Sequence, residues 1–232
     1  AVACGVKTMA LTDINTVTGI YDFIKGCNAV GINPLVGMEF HAEKSMRYIG
    51  IAKNASGLAE MNRFLTAYNF SGETLPLYAP KFDSVFIIYT LENAPTILRE
   101  NEYIGLRPEE VPKLFSLELK NKIAKMVVLQ PVTFRTKKEF NLHKILRAID
   151  SNIILSKLTE ADYCKTSEVL KPVEELLAVY GEYPKIIDNT EKLIEQCNFE
   201  FEFNTPRNKK HYTNTSQTDA ALLNSLAQQG IL

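Results

Sequence analysis

Short apolar runs alternate with amphipathic stretches over the first 150 residues of the chain. The apolar runs are four to seven residues long and are bounded by turn residues, as is typical of buried strands. They cover residues 7–11, 34–40, 47–52, 85–89, 103–106 and 126–130. Helices are predicted between them over residues 57–68, 108–125 and 137–150. This alternation favours parallel strands covered by helices, and hence an α/β fold of barrel or layered type.

A further helix is predicted between the first two strands. Its apolar face consists of Ile20, Phe23, Ile24, Cys27 and Val30. Gly31 ends this pattern, and Thr12–Asn15 supplies turn and capping side chains before it. The opening residues, Ala1–Lys7, have the character of a last helical turn closed by Gly5, so we expect the chain to begin at a cut and not at a natural start.

The pattern changes after Leu158. Two helices are predicted over residues 172–180 and 184–197, each with a proline in or near its first turn. Residues 201–212 are polar and favour a solvated connector, and residues 218–230 predict another helix. We therefore expect three parts: a barrel over residues 1–158, a helical segment over residues 159–203 that completes or follows it, and residues 204–232 as a connector and the first helix of a next domain.

Composition excludes several classes of function. The 26 basic and 27 acidic side chains give a formal charge of −1, which offers no general attraction to nucleic-acid phosphates. No apolar run approaches the roughly 18 residues of a membrane span, so we expect a soluble, cytoplasmic protein with no membrane partner. The three histidines form no HxH or HExxH motif and the four cysteines no CxxC pair, so any metal site would consist chiefly of carboxylates. The cysteines are expected to be reduced and mostly buried.

Two carboxylates lie where an α/β barrel places its chemistry, at the carboxyl ends of strands. Asp13 follows the first strand, and Glu39 ends the second. On neighbouring parallel strands the two could hold a hard cation or act as general acid and base. The alternative is structural, with Asp13 capping the following helix and Glu39 meeting backbone amides or a basic side chain. The residues alone favour the structural alternative.

The stretch from Ala10 to Phe40, ALTDINTVTGIYDFIKGCNAVGINPLVGMEF, resembles without a gap the polymerase-and-histidinol-phosphatase (PHP) domain at the N-terminus of bacterial DNA polymerase III alpha subunits. The positions in register are Thr12, Asp13, Gly19, Lys25, Gly31, Ile32, Pro34, Gly37 and Glu39. The likeness continues in IAKN at residues 51–54 and over residues 126–149. Residues 181–203 are similar to the segment that joins the PHP domain to the polymerase core.

The resemblance implies a distorted (β/α)7 barrel, here without its first strand, followed by a helical connector towards the polymerase core. In intact members the mouth of this barrel holds divalent metals on histidines, aspartates and glutamates. This sequence differs from that pattern at nearly every ligand. The replacements are Ile14 for the histidine of a TDH motif, Pro131 and Thr133 for a later aspartate and histidine, and Met46 and Arg47 for a histidine pair.

Glu39 remains of this ligand set, with Asp13 beside it. One or two carboxylates do not compensate for dehydrating a borderline metal, and Arg47 would repel a cation and pair with Glu39 or Asp13. His143 is expected to pack or to form a hydrogen bond and not to act as a base. We therefore expect no catalytic residue, no metal ligand and no cofactor, but a degenerate pocket of Asp13, Ile14, Glu39, Arg47, Pro131, Thr133 and His143.

Three hypotheses about function stay open. The first is a structural part of a DNA polymerase III alpha-like polymerase, whose partners, as the resemblance implies, are the rest of that chain and other replisome subunits such as a proofreading exonuclease, without tight DNA binding by this part. The second is a metal-dependent phosphoesterase or 3′–5′ exonuclease. The third is a module that binds a small anion around Arg47. The replacement of most metal ligands of the resembled family favours the first hypothesis.

Overall fold

The computed structural model describes residues 1–43, 45–201, 203 and 211–230 of the chain. These residues form two compact units, Ala1–Glu200 and Phe201–Leu232. The first unit contains a six-stranded sheet and most of the helices. The described part of the second contains one helix. Most of the predicted polar connector, residues 204–210, lies outside the described residues.

The sheet is curled into half of a barrel, and its strands follow one another in chain order. They are β1 (Thr8–Ile14), β2 (Asn33–Ala42), β3 (Ser45–Ala52), β4 (Val85–Thr90), β5 (Glu102–Leu106) and β6 (Met126–Val128). The mixed α/β class is thereby confirmed. A count of seven strands and the role of the last segment as a connector stay predictions.

Among the described residues, helices of the first unit connect and cover the strands, and one further helix, the last, belongs to the second unit. The helices are α1 (Ile20–Ala29), α2 (Ala55–Ser71), α3 (Leu117–Lys120), α4 (Lys137–Asp150), α5 (Val173–Val179), α6 (Pro184–Glu195) and α7 (Ser216–Gln229). The prediction of one helix over residues 108–125 was wrong: a 3₁₀ segment, Pro108–Phe115, precedes the single turn of α3. Pro112 inside that segment removes a backbone donor, which an α-helix would need.

The sequence predicted the end of the connection from β1 through α1 to β2 correctly, but it placed the start of that connection too early. β1 and β2 are parallel, as α1 carries the chain back between them. Gly31, with a φ of 71°, turns the chain into β2. Thr12–Ile14 was predicted as a turn but extends β1, and Asn15, with a φ of 49°, makes the turn.

The prediction of parallel pairing throughout was wrong for β3. This strand is antiparallel to both β2 and β4. β2 ends at Ala42 and β3 begins at Ser45, and a parallel connection needs about a dozen residues or more. A register shift after Phe40 leaves Arg47 as the extra residue of a β-bulge. The start of β3 therefore lies at the same edge of the sheet as the end of β2.

Both faces of the sheet are buried at its central strands, β2, β3 and β4. On one face, the core consists of residues from β2, β3, β4 and α2, among them Met38, Phe40, Tyr48, Met61 and Tyr89. On the other face, Leu35, Ile49 and Ile51 pack with Leu193 of α6 and with Cys197. All four cysteines are free, as predicted, and Cys27 and Cys197 are buried.

Candidate functional site

The predicted carboxylates lie at the carboxyl ends of the neighbouring strands β1 and β2, but the register places them on opposite faces of the sheet. Ile14 pairs in register with Glu39, and Asp13 pairs with Met38. Because β3 runs in the opposite direction, its first residues, with Arg47, reach the same edge. This edge thus carries four of the seven residues predicted for the pocket, Asp13, Ile14, Glu39 and Arg47.

The carboxylate of Glu39 is held by two neighbours. Thr12 Oγ1 donates to Glu39 Oε1 at 3.3 Å, and His41 Nε2 lies 3.0 Å from Glu39 Oε2. Both members of the His41–Glu39 pair are largely buried. Asn15 fixes the histidine backbone, because its Oδ1 accepts from His41 N at 2.9 Å and its Nδ2 donates to His41 O at 2.8 Å.

His41 is the residue of this edge that the sequence reading missed. It stands two positions after Glu39, and side chains two apart in a strand lie on one face. This spacing was the available signal, but the histidine matched no metal motif. Asp13 does not donate to or accept from the first turn of α1; that helix begins after Gly19 without a side-chain cap. A Cβ at Gly19 would lie 2.8 Å from Asp13 Oδ2, so the glycine makes room for the carboxylate.

Arg47 differs from its prediction. In the part of the chain that the structure describes, it forms no ion pair with Glu39 or Asp13 within 4.0 Å, so that expectation was wrong. Each oxygen of Glu39 instead has one other partner, Thr12 or His41. Arg47 Nε and the hydroxyl of Tyr48 are both buried without a hydrogen-bond partner among the described residues. Burial raises the pKa of Tyr48, and the charge of Arg47 opposes that increase.

Ile14 does not fill a pocket, since 57% of it is exposed. It presents an apolar surface where a metal ligand was expected in the resembled family. Glu39 and His41 are the adjacent pair of potential ligands at this edge. Among the described residues, no group of three His, Cys, Asp or Glu side chains is placed to hold a metal ion. A multinuclear divalent-metal site therefore does not fit the residues present.

The other predicted pocket residues belong to a second group, beyond β6. Thr133 Oγ1 donates to Glu168 Oε2 at 2.8 Å, and the Pro131 carbonyl accepts from Gln130. His143 of α4 accepts a hydrogen bond from the backbone N–H of Cys164 through Nε2 at 3.1 Å.

Burial lowers the pKa of His143, and the charge of Arg147 lowers it further, against an opposing effect of Glu168. Within the described residues, no hydrogen bond or ion pair joins this group to Glu39 and His41. The structure thus separates the predicted pocket into two polar groups.

The most deeply buried carboxylate of the described residues lies elsewhere, at the start of β5. Glu102 is 2% exposed and accepts from Arg99 Nε at 2.9 Å, from Arg99 N at 2.7 Å and from the Tyr89 hydroxyl at 3.0 Å. The Tyr89 oxygen also accepts from Ala79 N at 3.0 Å. Burial would raise the pKa of Glu102, but the hydrogen bonds from Arg99 and Tyr89 lower it below its ordinary value. Burial raises the pKa of Tyr89 to about 12.

A cavity of about 480 Å³ lies near this network, next to the amino ends of β4 and β5. Its lining includes Lys53, Lys81, Asp83, Arg99 and Glu100. The charges that line the cavity are mixed, and Lys53 already lies over the Phe86 ring at 4.4 Å.

No helix in the described ranges is long and apolar enough to cross a membrane.

The chain is similar in sequence to a known domain family and to several polymerase subunits. Residues 1–108 match the family model of the PHP domain. DNA polymerase III subunit alpha of Halalkalibacterium halodurans is 23% identical over 99% of this chain, and that of Streptococcus pyogenes serotype M1 is 22% identical over 98%. An error-prone DNA polymerase of Symbiobacterium thermophilum is 22% identical over 97% of the chain. The chain spans 21–25% of the length of these relatives.

Proposed function

We propose that the chain is the PHP part of a bacterial DNA polymerase III alpha-like protein and acts there as a structural and docking domain, because residues 1–108 match the family model of the PHP domain. In this proposal the complete protein is a DNA-directed DNA polymerase, either replicative or of the repair type. The chain itself transfers no nucleotide. Its partners are the rest of the polymerase polypeptide and other replisome subunits, such as a proofreading exonuclease. Its place is the cytoplasm.

The observation that carries this proposal is the extent of the likeness. The family model covers residues 1–108, but the polymerase relatives align with 97–99% of the chain. The similarity therefore continues through the helices that follow the sheet. A free-standing PHP enzyme would be expected to resemble the polymerases over its PHP domain alone. A part within a larger polymerase accounts for both matches.

The arrangement at the carboxyl edge supports a non-catalytic role. Glu39 is held by Thr12 and His41, while Ile14 stands exposed beside it. A borderline metal needs several imidazole, thiolate or carboxylate ligands in place of its water. The second polar group, around Thr133 and His143, has its own internal partners and offers no bond towards Glu39.

Metal analysis and DNA synthesis test the proposal directly. The purified, untagged 232-residue chain is analysed by inductively coupled plasma mass spectrometry after dialysis against buffers with and without added zinc or manganese. We expect less than about 0.1 metal ion per chain, because two adjacent ligands give weak binding. We also expect no extension of a primed template by this chain. Stoichiometric metal, or measurable nucleotide incorporation, would contradict the proposal.

One observation favours the alternative, a metal-dependent phosphoesterase or 3′–5′ exonuclease. His41 adds an imidazole next to Glu39, which gives a donor pair at the correct edge of the sheet. The test is hydrolysis of bis-p-nitrophenyl phosphate and of 3′-labelled single-stranded DNA with manganese or zinc. Hydrolysis that disappears in both Glu39→Gln and His41→Ala, but not in the surface control Phe70→Ala, would establish the alternative. We expect no hydrolysis in any of these proteins.

A further inference from the structure

Helix α4 has its apolar side turned away from the protein. Leu142, Ile145, Leu146 and Ile149 recur at spacings of three, one and three residues and form a single stripe. These four side chains, hereafter the α4 stripe, are between 45% and 69% exposed. An amphipathic helix on a globular protein normally buries such a stripe. The exposed stripe therefore needs an explanation of its own.

The polar side of the same helix faces inward and is firmly held. Arg147 Nε donates to the carbonyl of Asp162 at 2.8 Å, and His143 accepts from Cys164 N. Lys144 lies over the ring of Tyr163 at 4.4 Å. Three contacts with residues 162–164, made over little more than one helical turn, fix the rotation of α4 about its axis. The helix cannot bury its stripe by rotating without breaking all of them.

The size of the stripe favours a covalently attached partner. Four half-exposed side chains, with Ile154 and Leu155 directly after the helix, expose on the order of 500 Å² of apolar surface, near the largest patch of a typical monomer. Two copies meeting here would bury about 1,000 Å² in total, which is below the usual size of a stable interface between free chains. A tethered partner needs less area, because the tether supplies an effective concentration in the millimolar range.

We propose that the α4 stripe is the docking surface for the polymerase body that follows the PHP part in the same polypeptide. This inference rests on the proposed function. The relatives supply the argument for the occupant, because the matched region accounts for only about a fifth to a quarter of their length. The occupant is an apolar surface of that remaining polypeptide, packed along the four residues of the stripe.

Carbene footprinting of two polypeptides tests the proposal. One is the 232-residue chain, and the other is the polymerase-length polypeptide that contains it. We expect labelling of the α4 stripe to fall at least fivefold in the longer polypeptide. Phe70 and Ile97, which are 89% and 84% exposed and lie outside α4, serve as internal controls whose labelling stays constant. Equal labelling of the stripe in both polypeptides would overturn the proposal.

A variant pair strengthens this test. Leu146→Glu places a charge in the centre of the stripe, and Phe70→Glu places one at an equally exposed apolar residue elsewhere. In the longer polypeptide, Leu146→Glu should restore the labelling of Leu142 and Ile149 to its level in the short chain, while Phe70→Glu leaves them protected. Both variants should melt within about 2 °C of the parent in the short chain, because both sites are exposed there.

The outcomes separate this inference from the proposed function. A longer polypeptide that extends a primer but shows an unprotected stripe contradicts the docking surface alone. A longer polypeptide without DNA synthesis contradicts the proposed function, and its footprint still decides whether the stripe is covered. Light scattering measures the oligomeric state of the 232-residue chain. If this chain is a dimer and Leu146→Glu converts it to a monomer, the stripe binds a second copy and the proposal is overturned.

Discussion

Two carboxylates lie at opposite ends of the strands and differ in how their negative charge is stabilised. Glu39, near the carboxyl end of β2, has Thr12 and His41 as partners and keeps about a quarter of its side chain exposed. Glu102, at the amino end of β5, is 2% exposed and accepts from Arg99 and Tyr89. The sequence directed attention to Glu39, whereas the more completely satisfied carboxylate is Glu102.

The difference separates a carboxylate that drew attention only through a family resemblance from one that we expect to stabilise the fold. A buried carboxylate is tolerated only when ion pairing and hydrogen bonds replace its water. Glu102 meets that condition through four donor contacts from two residues. Glu39 meets it in part and has solvent for the rest. We therefore expect Glu102 to contribute much more to stability than Glu39.

The largest expected effect comes from removing each carboxylate in turn. Glu102→Ala should lower the free energy of unfolding by about 3 kcal/mol, because the buried Tyr89 hydroxyl and Arg99 N–H lose their acceptor. Glu39→Ala should lower it by about 1 kcal/mol or less, because solvent can replace the lost contacts. Urea denaturation followed by far-ultraviolet circular dichroism measures both. Equal losses would break the comparison.

A smaller effect distinguishes two buried tyrosines of the same core. Tyr89→Phe should destabilise the chain by about 1.5 kcal/mol, because Glu102 loses a donor and Ala79 N an acceptor. Tyr48→Phe should leave the free energy of unfolding unchanged or raise it slightly, because the Tyr48 hydroxyl is buried without a partner in the described structure. A loss above about 1 kcal/mol in Tyr48→Phe would show that the hydroxyl has a bound partner.

The smallest expected effect is a pH dependence of the free energy of unfolding that is due to Glu102. Its pKa in the folded protein is lower than 4.5, so its ionised form stabilises the fold above the ordinary pKa of a glutamate. As the pH falls through the folded pKa, that stabilisation is lost. The stability difference between the parent and Glu102→Gln should therefore narrow on acidification from pH 6 to pH 3. A constant difference over this range would contradict the assignment.

Local patterns predicted much of the sheet but not its directions. Apolar runs located the strands, and Gly31 located the end of α1. The family pattern for residues 10–40 placed Asp13 and Glu39 on neighbouring strands, which the register confirms. The antiparallel β3 follows from the short connection after Ala42, a signal that was present in the sequence but was outweighed by the overall alternation.

The polar contacts were largely invisible because they depend on residues far apart in the chain. Tyr89, Ala79 and Glu102 meet through the curvature of the sheet, and no local motif announces them. The bulge leaves Arg47 without a partner residue in the ladder between β2 and β3, and no local pattern predicts such a bulge. The helix over residues 137–150 was predicted, but periodicity shows only that a helix has an apolar face and not which way that face points.

The edge position of β1 has a consequence for the protein in solution. In the described structure β1 pairs with β2 alone, so the seven residues Thr8–Ile14 offer backbone donors and acceptors along their other side. Such an edge is a template for an added strand from another molecule. A net charge of −1 gives little colloidal repulsion to keep molecules apart. We therefore expect a concentrated sample of this chain to associate by strand addition at β1 before its core unfolds.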